Sequence, residues 1–469
     1  MSDEGDRRGG DRGRELPRKT VARTARLAAL PLGFAGRSAV GLGKRLGGRP
    51  AELVTAEIQQ RTAEQVFRTL GQLKGGAMKF GQMLSVMEAA LPEDQMAAYR
   101  GELTKLQDAA PPMPTSEVRA VLDAELGSAG VDWRRHLVWF DGGPTAAASI
   151  GQVHKGRWVD DPDDPASPER EVAVKVQYPG AADAIASDLR QIGRLARTIA
   201  PIMPGVDVKA IVVELQDRMA EELDYGLEAA AQTAYAEAYV DDEHFFVPKV
   251  VAQSPKVLVT EWLDSTGSLA QVIADGTPEE RDHYGELLVR FLFDGPARTG
   301  MLHADPHPGN FRTMPNADGT PGRLGVLDFG AVARLPEGEL PEAMGTLIRV
   351  AGDADRSSLE QGLRDEGFIK ERTRVDPDLL FDYLAPFVEP TLTDRFRFTR
   401  SWLRTQAERV SNPKDPAYTV ALKLNLPPSY LLIHRTWLAA VGVLSQLEAE
   451  APFRQILVES LPGFAPTES

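Results

Sequence analysis

The chain has 469 residues, of which 42% are hydrophobic and 26% are charged, a composition typical of a soluble globular protein with more than one lobe or domain. It contains no cysteine, which excludes disulfides, thiolate metal sites and cysteine nucleophiles and is consistent with a reducing cytoplasm. The formal net charge of −15 argues against nucleic acid as a partner.

The first part of the chain is basic although the whole is acidic. Residues 1–50 carry 12 Lys and Arg against 5 Asp and Glu, and the remaining residues carry 41 against 63. Residues 1–49 therefore predict either a flexible solvated tail or a peripheral contact with anionic lipid. No run of 18 apolar residues occurs, so we predict no transmembrane helix and expect a cytoplasmic protein that can lie peripherally at the membrane.

A long amphipathic helix is predicted next, between residues 51 and 90. Its apolar residues recur at alternating steps of three and four, which places them on one continuous face. Lys79 and Gln82 lie three residues apart and off that face. Periodicity alone favours a solvated polar surface for both.

The segment after this helix predicts strands in pairs with helices between them. Alternating apolar residues and turn residues mark the elements. The predicted strands are 153–158, 171–177, 245–252 and 257–262, with an acidic hairpin loop at 160–165 and helices at 181–200 and 208–239.

Lys175 is a single cation in the apolar strand of residues 172–176, on the face opposite the three valines. Either it extends outward to water or it meets phosphate and a carboxylate in a cleft. Glu222 continues the apolar stripe of the following helix, where a buried carboxylate needs a cation. We therefore predict a Lys175–Glu222 ion pair, unless Glu222 only borders the stripe and is hydrated. Asp224 and Glu228 are expected to add acidity to the neighbouring surface.

A turn of small residues precedes this strand pair. Glycine-rich turns bind phosphate because glycine lets backbone N–H groups approach it, but here Ala146, Ala147 and Ala148 occupy the centre, followed by Ser149. Alanine favours helical turns, so we expect a stiffer loop that holds a triphosphate differently. An ordinary small-residue turn remains the alternative.

Beyond residue 263 the predicted structure is mostly helical, and it contains the most informative polar residues. Asp305 and Asn310 are five residues apart among prolines, and Asp328 follows a short predicted strand at 323–327. One carboxylate can orient or deprotonate an attacking hydroxyl, while an amide and a second carboxylate hold Mg²⁺ against phosphate oxygens.

Two histidines flank Asp305. His303 and His307 are four residues apart and could bind a metal from one face of a helix, but Pro306 and Pro308 oppose a helix there. We therefore expect His303 to support the backbone.

Together these motifs resemble the UbiB/AarF-type atypical kinases, a family that includes the coenzyme-Q-biosynthesis kinases. The resemblance runs from about residue 50 to residue 335, and its six motifs occur in the family's order. They are Lys79-Phe80-Gly81-Gln82, Ala146-Ala147-Ala148-Ser149-Ile150-Gly151-Gln152-Val153, Val172-Ala173-Val174-Lys175, Glu222-Leu223-Asp224, His303-Ala304-Asp305 through Asn310, and Asp328-Phe329-Gly330.

The resemblance implies an α+β fold, the atypical protein-kinase-like bilobal fold with an added N-terminal helical extension. Its segments would be a basic tail at 1–49, an extension carrying Lys79 at 50–135, an N-lobe at 136–262 and a mostly helical C-lobe at 263–469.

The resemblance also implies site residues. Lys175 and Glu222 would form the ion pair, Asp305 would take the catalytic-loop position, and Lys79 would point into the cleft. Asn310 and Asp328 would bind Mg²⁺. The residues implied to bind ATP or ADP are Ala146, Ala147, Ala148, Ser149, Lys175 and, in the hinge, Glu261 and Leu263.

The expected function is a Mg-ATP-binding kinase or ATPase that supports isoprenoid-quinone or lipid metabolism at the membrane face, with quinone-biosynthesis proteins as partners. No Ala-Pro-Glu element follows Asp328-Phe329-Gly330, so a platform for protein substrates is not evident. One alternative is a small-molecule phosphotransferase of the aminoglycoside/choline-kinase type. The other is a protein whose lipid or complex binding is switched by ATP with little turnover.

Overall fold

The computed structural model describes residues 112–148, 150–183, 186, 223–412, 415–421 and 423–465. The basic tail, most of the predicted extension with Lys79, and also Ser149 and Glu222 lie outside the described residues. Residues 112–179 and 223–465 belong to one compact unit, to which all that follows refers.

The smaller part of this unit is built on a six-stranded antiparallel sheet in the order β1-β3-β4-β7-β6, with β2 added beside β3. Its helices are α1 (Thr115–Ser128), α2 (Trp133–His136) and α3 (Tyr225–Ala238), and its strands are β1 (Leu137–Phe140), β2 (Ala146–Ala148), β3 (Gly151–Val159), β4 (Glu169–Gln177), β6 (Val250–Ser254) and β7 (Val257–Glu261), with β5 (Phe245–Phe246) lying in another sheet. The strand pair β3–β4, with its acidic hairpin loop, confirms the prediction.

Strand alternation divides the faces of β4. Val172, Val174 and Val176 are fully buried and pack in one core with the helix α1. The α1 residues in that core, Val118, Leu122 and Leu126, recur every four positions and so share one helical face. Lys175 therefore lies on the opposite face of the sheet, as predicted. The core also extends to the N-terminal side of residue 136, where the N-lobe is predicted to begin.

The strand predicted at 245–252 is wrong as one element. Phe245 and Phe246 pair in parallel with Leu324 and Gly325 in another sheet, whereas Val250–Ser254 pairs with β7. Pro248 stands between them; it has no backbone N–H to continue a ladder, and its carbonyl accepts a hydrogen bond from Gln232.

The larger part of the unit is mostly helical, as predicted. Its strands are β8 (Gly267–Ser268), β9 (Met301–His303), β10 (Phe311–Met314), β11 (Arg323–Val326), β12 (Val332–Arg334), β13 (Phe396–Arg397) and β14 (Glu450–Ala451). Its helices are α4 (Leu269–Asp275), α5 (Pro278–Thr299), α6 (Glu342–Gly352), α7 (Arg356–Asp365), α8 (Pro377–Val388), α9 (Arg400–Ser411), α10 (Pro416–Ala421), α11 (Pro428–Leu447) and α12 (Phe453–Ser460).

Helix α5 is the centre of this larger part. A capping box between Thr277 and Glu280 begins it, and Gly300, with φ of +69°, ends it. Its buried residues, including Leu288 and Phe291, pack in one core with strands β10 and β11 and helix α11. Strand β9 follows immediately, so this helix fixes the start of the loop that carries Asp305.

A four-stranded sheet and one strand pair complete the support of that loop. The second sheet has the order β5-β11-β10-β8, and β9 pairs separately with β12. Farther along the chain, Trp437 stacks on Phe453 with ring centroids 5.1 Å apart, so it is a packing residue, as expected of such aromatics. Among the helices that the structure describes, none combines the length and apolar character needed to cross a bilayer.

Candidate functional site

Lys175 forms a buried ion pair within the smaller part of the unit, which is called the small lobe below, the larger part being the large lobe. Its Nζ lies 2.7 and 2.8 Å from the two carboxylate oxygens of Glu228 on α3. The side chains of Lys175 and Glu228 are 16% and 6% exposed. Glu222, the predicted partner, lies outside the described residues, and among the described residues the carboxylate that accepts hydrogen bonds from Lys175 is that of Glu228.

The expectation that Glu228 adds acidity to the surface is wrong, because it lies on the buried face of α3. Tyr225, Glu228, Gln232 and Tyr235 are buried at helical steps of three and four. Asp224 instead caps the helix and accepts a hydrogen bond from the Gly226 N–H. The signal was present in the sequence, but it appears only when the stripe is counted from Tyr225.

The charge of Lys175 is held by two carboxylates. Burial alone lowers its pKa, but Asp328 and Glu228 outweigh burial and raise the pKa above its ordinary value. Asp328 Oδ1 lies 3.9 Å from Nζ, and the Tyr225 ring lies below the ammonium group at 4.8 Å. Lys175 is therefore a fixed cation next to Asp328.

The loop after β9 brings Asp305 and Asn310 together, as predicted. Pro308–Asn310 forms one 3₁₀ turn, and the Asn310 Nδ2–H donates to the Asp305 carbonyl at 3.1 Å. This bond engages the nitrogen of the buried Asn310 amide and orients its oxygen. His307 accepts a hydrogen bond from Gly309 N–H at 3.1 Å, so it supports the loop.

Asp328 is delivered to the same edge by strand β11. The Leu327 N–H donates to the Asn310 carbonyl at 2.8 Å, which continues the β10–β11 ladder by one residue pair. Asn310 and the residue preceding Asp328 are thus joined directly. Asp328 itself has φ of +61°, a left-handed conformation that costs free energy outside glycine and often marks functional sites.

His303 stabilises this strained backbone, as expected from the sequence. Its Nε2 lies 3.0 Å from the Asp328 carbonyl, so Nε2–H donates. The ring packs among Phe291, Phe311 and Phe329. Burial lowers the pKa of His303 despite the nearby charges of Asp305 and Asp328, so the imidazole is neutral.

The alanine run forms a strand. Ala146–Ala148 pairs antiparallel with β3, with Ala147 opposite Gln152, so the segment expected to be a stiff loop is a strand, because cross-strand pairing outweighs the preference of alanine for helical turns. Gly151 is needed at the end of this hairpin, since a Cβ there would lie 2.3 Å from the Val176 carbonyl oxygen.

The back of this hairpin is fixed by buried polar side chains. Gln152 accepts a hydrogen bond from Met113 N–H at 2.8 Å, and its amide nitrogen lies 2.8 Å from His154 Nε2. His154 Nδ1 lies 2.9 Å from the Asp141 carbonyl. The set is satisfied when His154 is neutral with its proton on Nδ1, and burial lowers its pKa accordingly. The segment before α1 is therefore tied to β3, the strand that pairs with the alanines.

The predicted hinge follows β7. The backbone N–H groups of Glu261 and Trp262 donate to the carbonyls of Lys249 and Glu171, both at 2.9 Å. These two N–H groups are therefore already engaged, and a ligand can contact these residues only through their other atoms. Leu263 is buried and packs on Gly325, where a Cβ would lie 2.4 Å from its Cδ1 atom. The hinge thus rests directly on strand β11.

This donor set suits a magnesium nucleotide. Asn310 and Asp328 supply hard oxygen ligands at one edge, and Lys175 supplies a cation for phosphate. Within the described residues no group of three or more His, Asp or Glu could hold a metal. Two protein ligands leave coordination positions for phosphate oxygens and water, which is the way proteins usually bind Mg²⁺.

We expect Glu228→Gln to lower the free energy of unfolding by about 3 kcal/mol, because it leaves the buried charge of Lys175 without its carboxylate partner. Urea unfolding measures the loss. Glu237→Gln, on the exposed face of the same helix, is the matched control and should change little. A larger loss for Glu222→Gln than for Glu228→Gln would contradict the assigned pair.

His303 predicts a dependence of stability on pH. Because its folded pKa lies below the ordinary value of 6.5, the unfolded chain binds the proton first as the pH falls. The stabilisation is therefore complete above about pH 6.5 and is lost below it. His303→Gln keeps an N–H for the Asp328 carbonyl but cannot titrate.

Urea unfolding at several pH values between about 5.5 and 7.5 tests this, since one such group contributes at most about 1.4 kcal/mol per pH unit. The variant should lose less stability on acidification than the wild type. The pKa values of His154 and His434 are also lowered by burial, so a residual slope is expected, and an unchanged slope would contradict the assignment.

Comparison with known proteins identifies a family. The ABC1 atypical kinase-like domain matches residues 105–361, more than half of the chain. The mitochondrial atypical kinase COQ8B of Rattus norvegicus is 30% identical over 370 residues, 76% of this chain and 65% of that protein. The mitochondrial atypical kinase COQ8 of Schizosaccharomyces pombe is 31% identical over 296 residues, 63% of this chain and 45% of that protein. The matches thus span 45% to 65% of the length of these two relatives.

A solved structure is also similar. The complex of Rv3197 with erythromycin from Mycobacterium tuberculosis aligns with a TM-score of 0.65 and 41% identity, covering 89% of this chain and all of the other. The described architecture, the ordered motifs and the domain match lead to one conclusion: the chain belongs to the ABC1 atypical kinase-like family.

Proposed function

We propose that the chain binds a magnesium nucleotide in this site and transfers or hydrolyses its terminal phosphoryl group. The observation that supports this best is the junction of Asn310 with the strand that delivers Asp328, with Lys175 3.9 Å from the Asp328 carboxylate. The three side chains that phosphoryl transfer needs near the phosphates are thereby brought to one place.

Each residue then has a role in the proposal. Asn310, through its amide oxygen, and Asp328 hold the metal. Mg²⁺, when bound, neutralises charge that develops on the phosphate oxygens. Lys175 contacts the phosphates and is positioned by Glu228. Asp305 orients the attacking hydroxyl or water and accepts its proton.

Other predicted residues belong to the same proposal. The strand Ala146–Ala148 and Ser149 cover the phosphates, and Glu261 and Leu263 hold the adenine of ATP or ADP. Lys79, which belongs to the family extension predicted at 50–135 and lies outside the described residues, would point into the cleft. The division into a tail at 1–49, that extension and two lobes remains part of the proposal.

The family suggests the setting of the reaction. The names of the COQ8 relatives favour isoprenoid-quinone or lipid metabolism as the process in which this chain acts. Quinone-biosynthesis proteins would then be its partners. The basic residues 1–49 would attach the protein peripherally to an anionic membrane face.

A second candidate is a protein whose binding of lipids or of a protein complex is switched by ATP. The similar structure from Mycobacterium tuberculosis was solved with erythromycin, which favours a macrolide as one occupant. A small-molecule phosphotransferase is the remaining alternative, and phosphorylation of a soluble metabolite would favour it.

The central assignment predicts that Asp328→Asn abolishes measurable Mg-ATP binding, because the amide lacks the charge that holds the divalent cation. Titration calorimetry of Mg-ATP into the full-length protein measures this. Asp318→Asn, in the exposed turn between β10 and β11, is the control and should bind as the wild type does. Unchanged affinity in Asp328→Asn would remove the assignment.

Phosphate release from Mg-ATP separates the candidates. An enzyme of the membrane face should release phosphate faster with anionic than with neutral liposomes, and Asp305→Asn should abolish the release. A switch should bind Mg-ATP without turnover and change its affinity for erythromycin when ATP is present. Equal, high turnover without lipid would argue against a membrane setting.

A further inference from the structure

Strand β10 carries an arginine that faces away from the core of the large lobe. Phe311 and Thr313 are buried on one side of the strand, with 0% and 6% exposure. Arg312 lies between them, so alternation places its side chain on the opposite face of the sheet. Asn310 precedes β10 by one residue and is two positions from Arg312.

The Arg312 guanidinium is half-buried and has no partner among the residues that the structure describes. No hydrogen bond, ion pair or ring contact is found for it there, and burial alone lowers its pKa. A guanidinium withdrawn from water is costly unless something pairs with it. The other arginine on this face, Arg323, already lies over the Phe246 ring at 5.4 Å.

The position of Arg312 indicates what its partner would be. Its cross-strand neighbour is Gly325, and paired residues share a face of the sheet. Leu263 of the hinge packs on that glycine. Arg312 therefore lies between the hinge and Asn310, about 7 Å along the strand from the latter, taking about 3.3 Å per residue.

We propose that Arg312 is a specificity-determining residue whose guanidinium stacks on the base of the bound nucleotide and favours purines over pyrimidines. The inference rests on the proposed function, since the base of a nucleotide bound at Asn310 and Asp328 would extend toward Leu263. Guanidinium is planar and weakly hydrated, and it stacks on aromatic faces. A purine offers two fused rings where a pyrimidine offers one.

Arg312 is not predicted from the sequence, because an arginine in a short strand is common on protein surfaces. The signal becomes visible only with the pairing register, which sets Arg312 opposite the glycine under the hinge. A glycine at 325 leaves room on this face for the side chain of Leu263.

The test compares dissociation constants of the full-length protein for the magnesium complexes of ATP, GTP, CTP, UTP and tripolyphosphate by calorimetry. The wild type should prefer the two purine nucleotides. Arg312→Met keeps the length of the side chain without its charge, and should weaken ATP and GTP binding by about threefold to tenfold. CTP, UTP and tripolyphosphate should change by less than about twofold, so the purine preference should disappear.

Arg312→Gln should give the same loss of preference, and it serves if the methionine variant does not fold. Arg323→Met is the matched control, because it removes a cation from the same face two residue pairs farther from Asn310. Its affinities should match those of the wild type.

Two results would overturn the proposal: an unchanged purine preference in the folded Arg312 variants, or an equal loss for all five ligands, which would show that Arg312 senses phosphate charge. Failure of the wild type to bind any of the five ligands would instead refute the proposed nucleotide function.

Discussion

The ion pair between Lys175 and Glu228 is the interaction on which the rest of the site depends. It joins the strand β4 to the helix α3 across 53 residues of sequence, and both side chains are withdrawn from water. Such a pair adds little net stability compared with apolar packing, but removing either member is costly. Its main effect is geometric, because it fixes where the Lys175 ammonium stands relative to Asp328. In the proposed function, the positions of phosphate and metal follow from that.

A second constraint acts on the backbone of Asp328. Its positive φ is a conformation that a non-glycine residue adopts only when the surroundings enforce it. The neutral His303 ring holds the Asp328 carbonyl, and the Leu327–Asn310 hydrogen bond holds the preceding residue. The strain is thus offset by contacts with the rigid large-lobe core, and the carboxylate is aimed before any ligand arrives. Preorganisation of this kind is what phosphoryl transfer requires of a protein.

The sequence predicted those features that depend on local patterns. The face of Lys175 followed from alternation, and the joint presentation of Asp305 and Asn310 followed from the prolines between them. Glu228 was missed because the buried stripe of α3 starts from Tyr225, beyond the apolar residues from which it was counted. The strand at Ala146–Ala148 was missed because its partner, β3, overrides the preference of alanine. Pairing between distant segments decides such cases, and a local pattern does not record it.

In the proposed function, the charges of the site also determine how a bound nucleotide is oriented. Along the described cleft, Glu228, Asp305 and Asp328 lie at the end near Lys175, while Arg312 lies toward the hinge. A triphosphate without metal would meet carboxylates where its phosphates must go and would be drawn toward Arg312 instead. In the proposed function, a divalent cation held by Asn310 and Asp328 offsets the negative charge at that end. The orientation of the nucleotide then depends on the metal, and Arg312 is left free for a ring, which carries no charge.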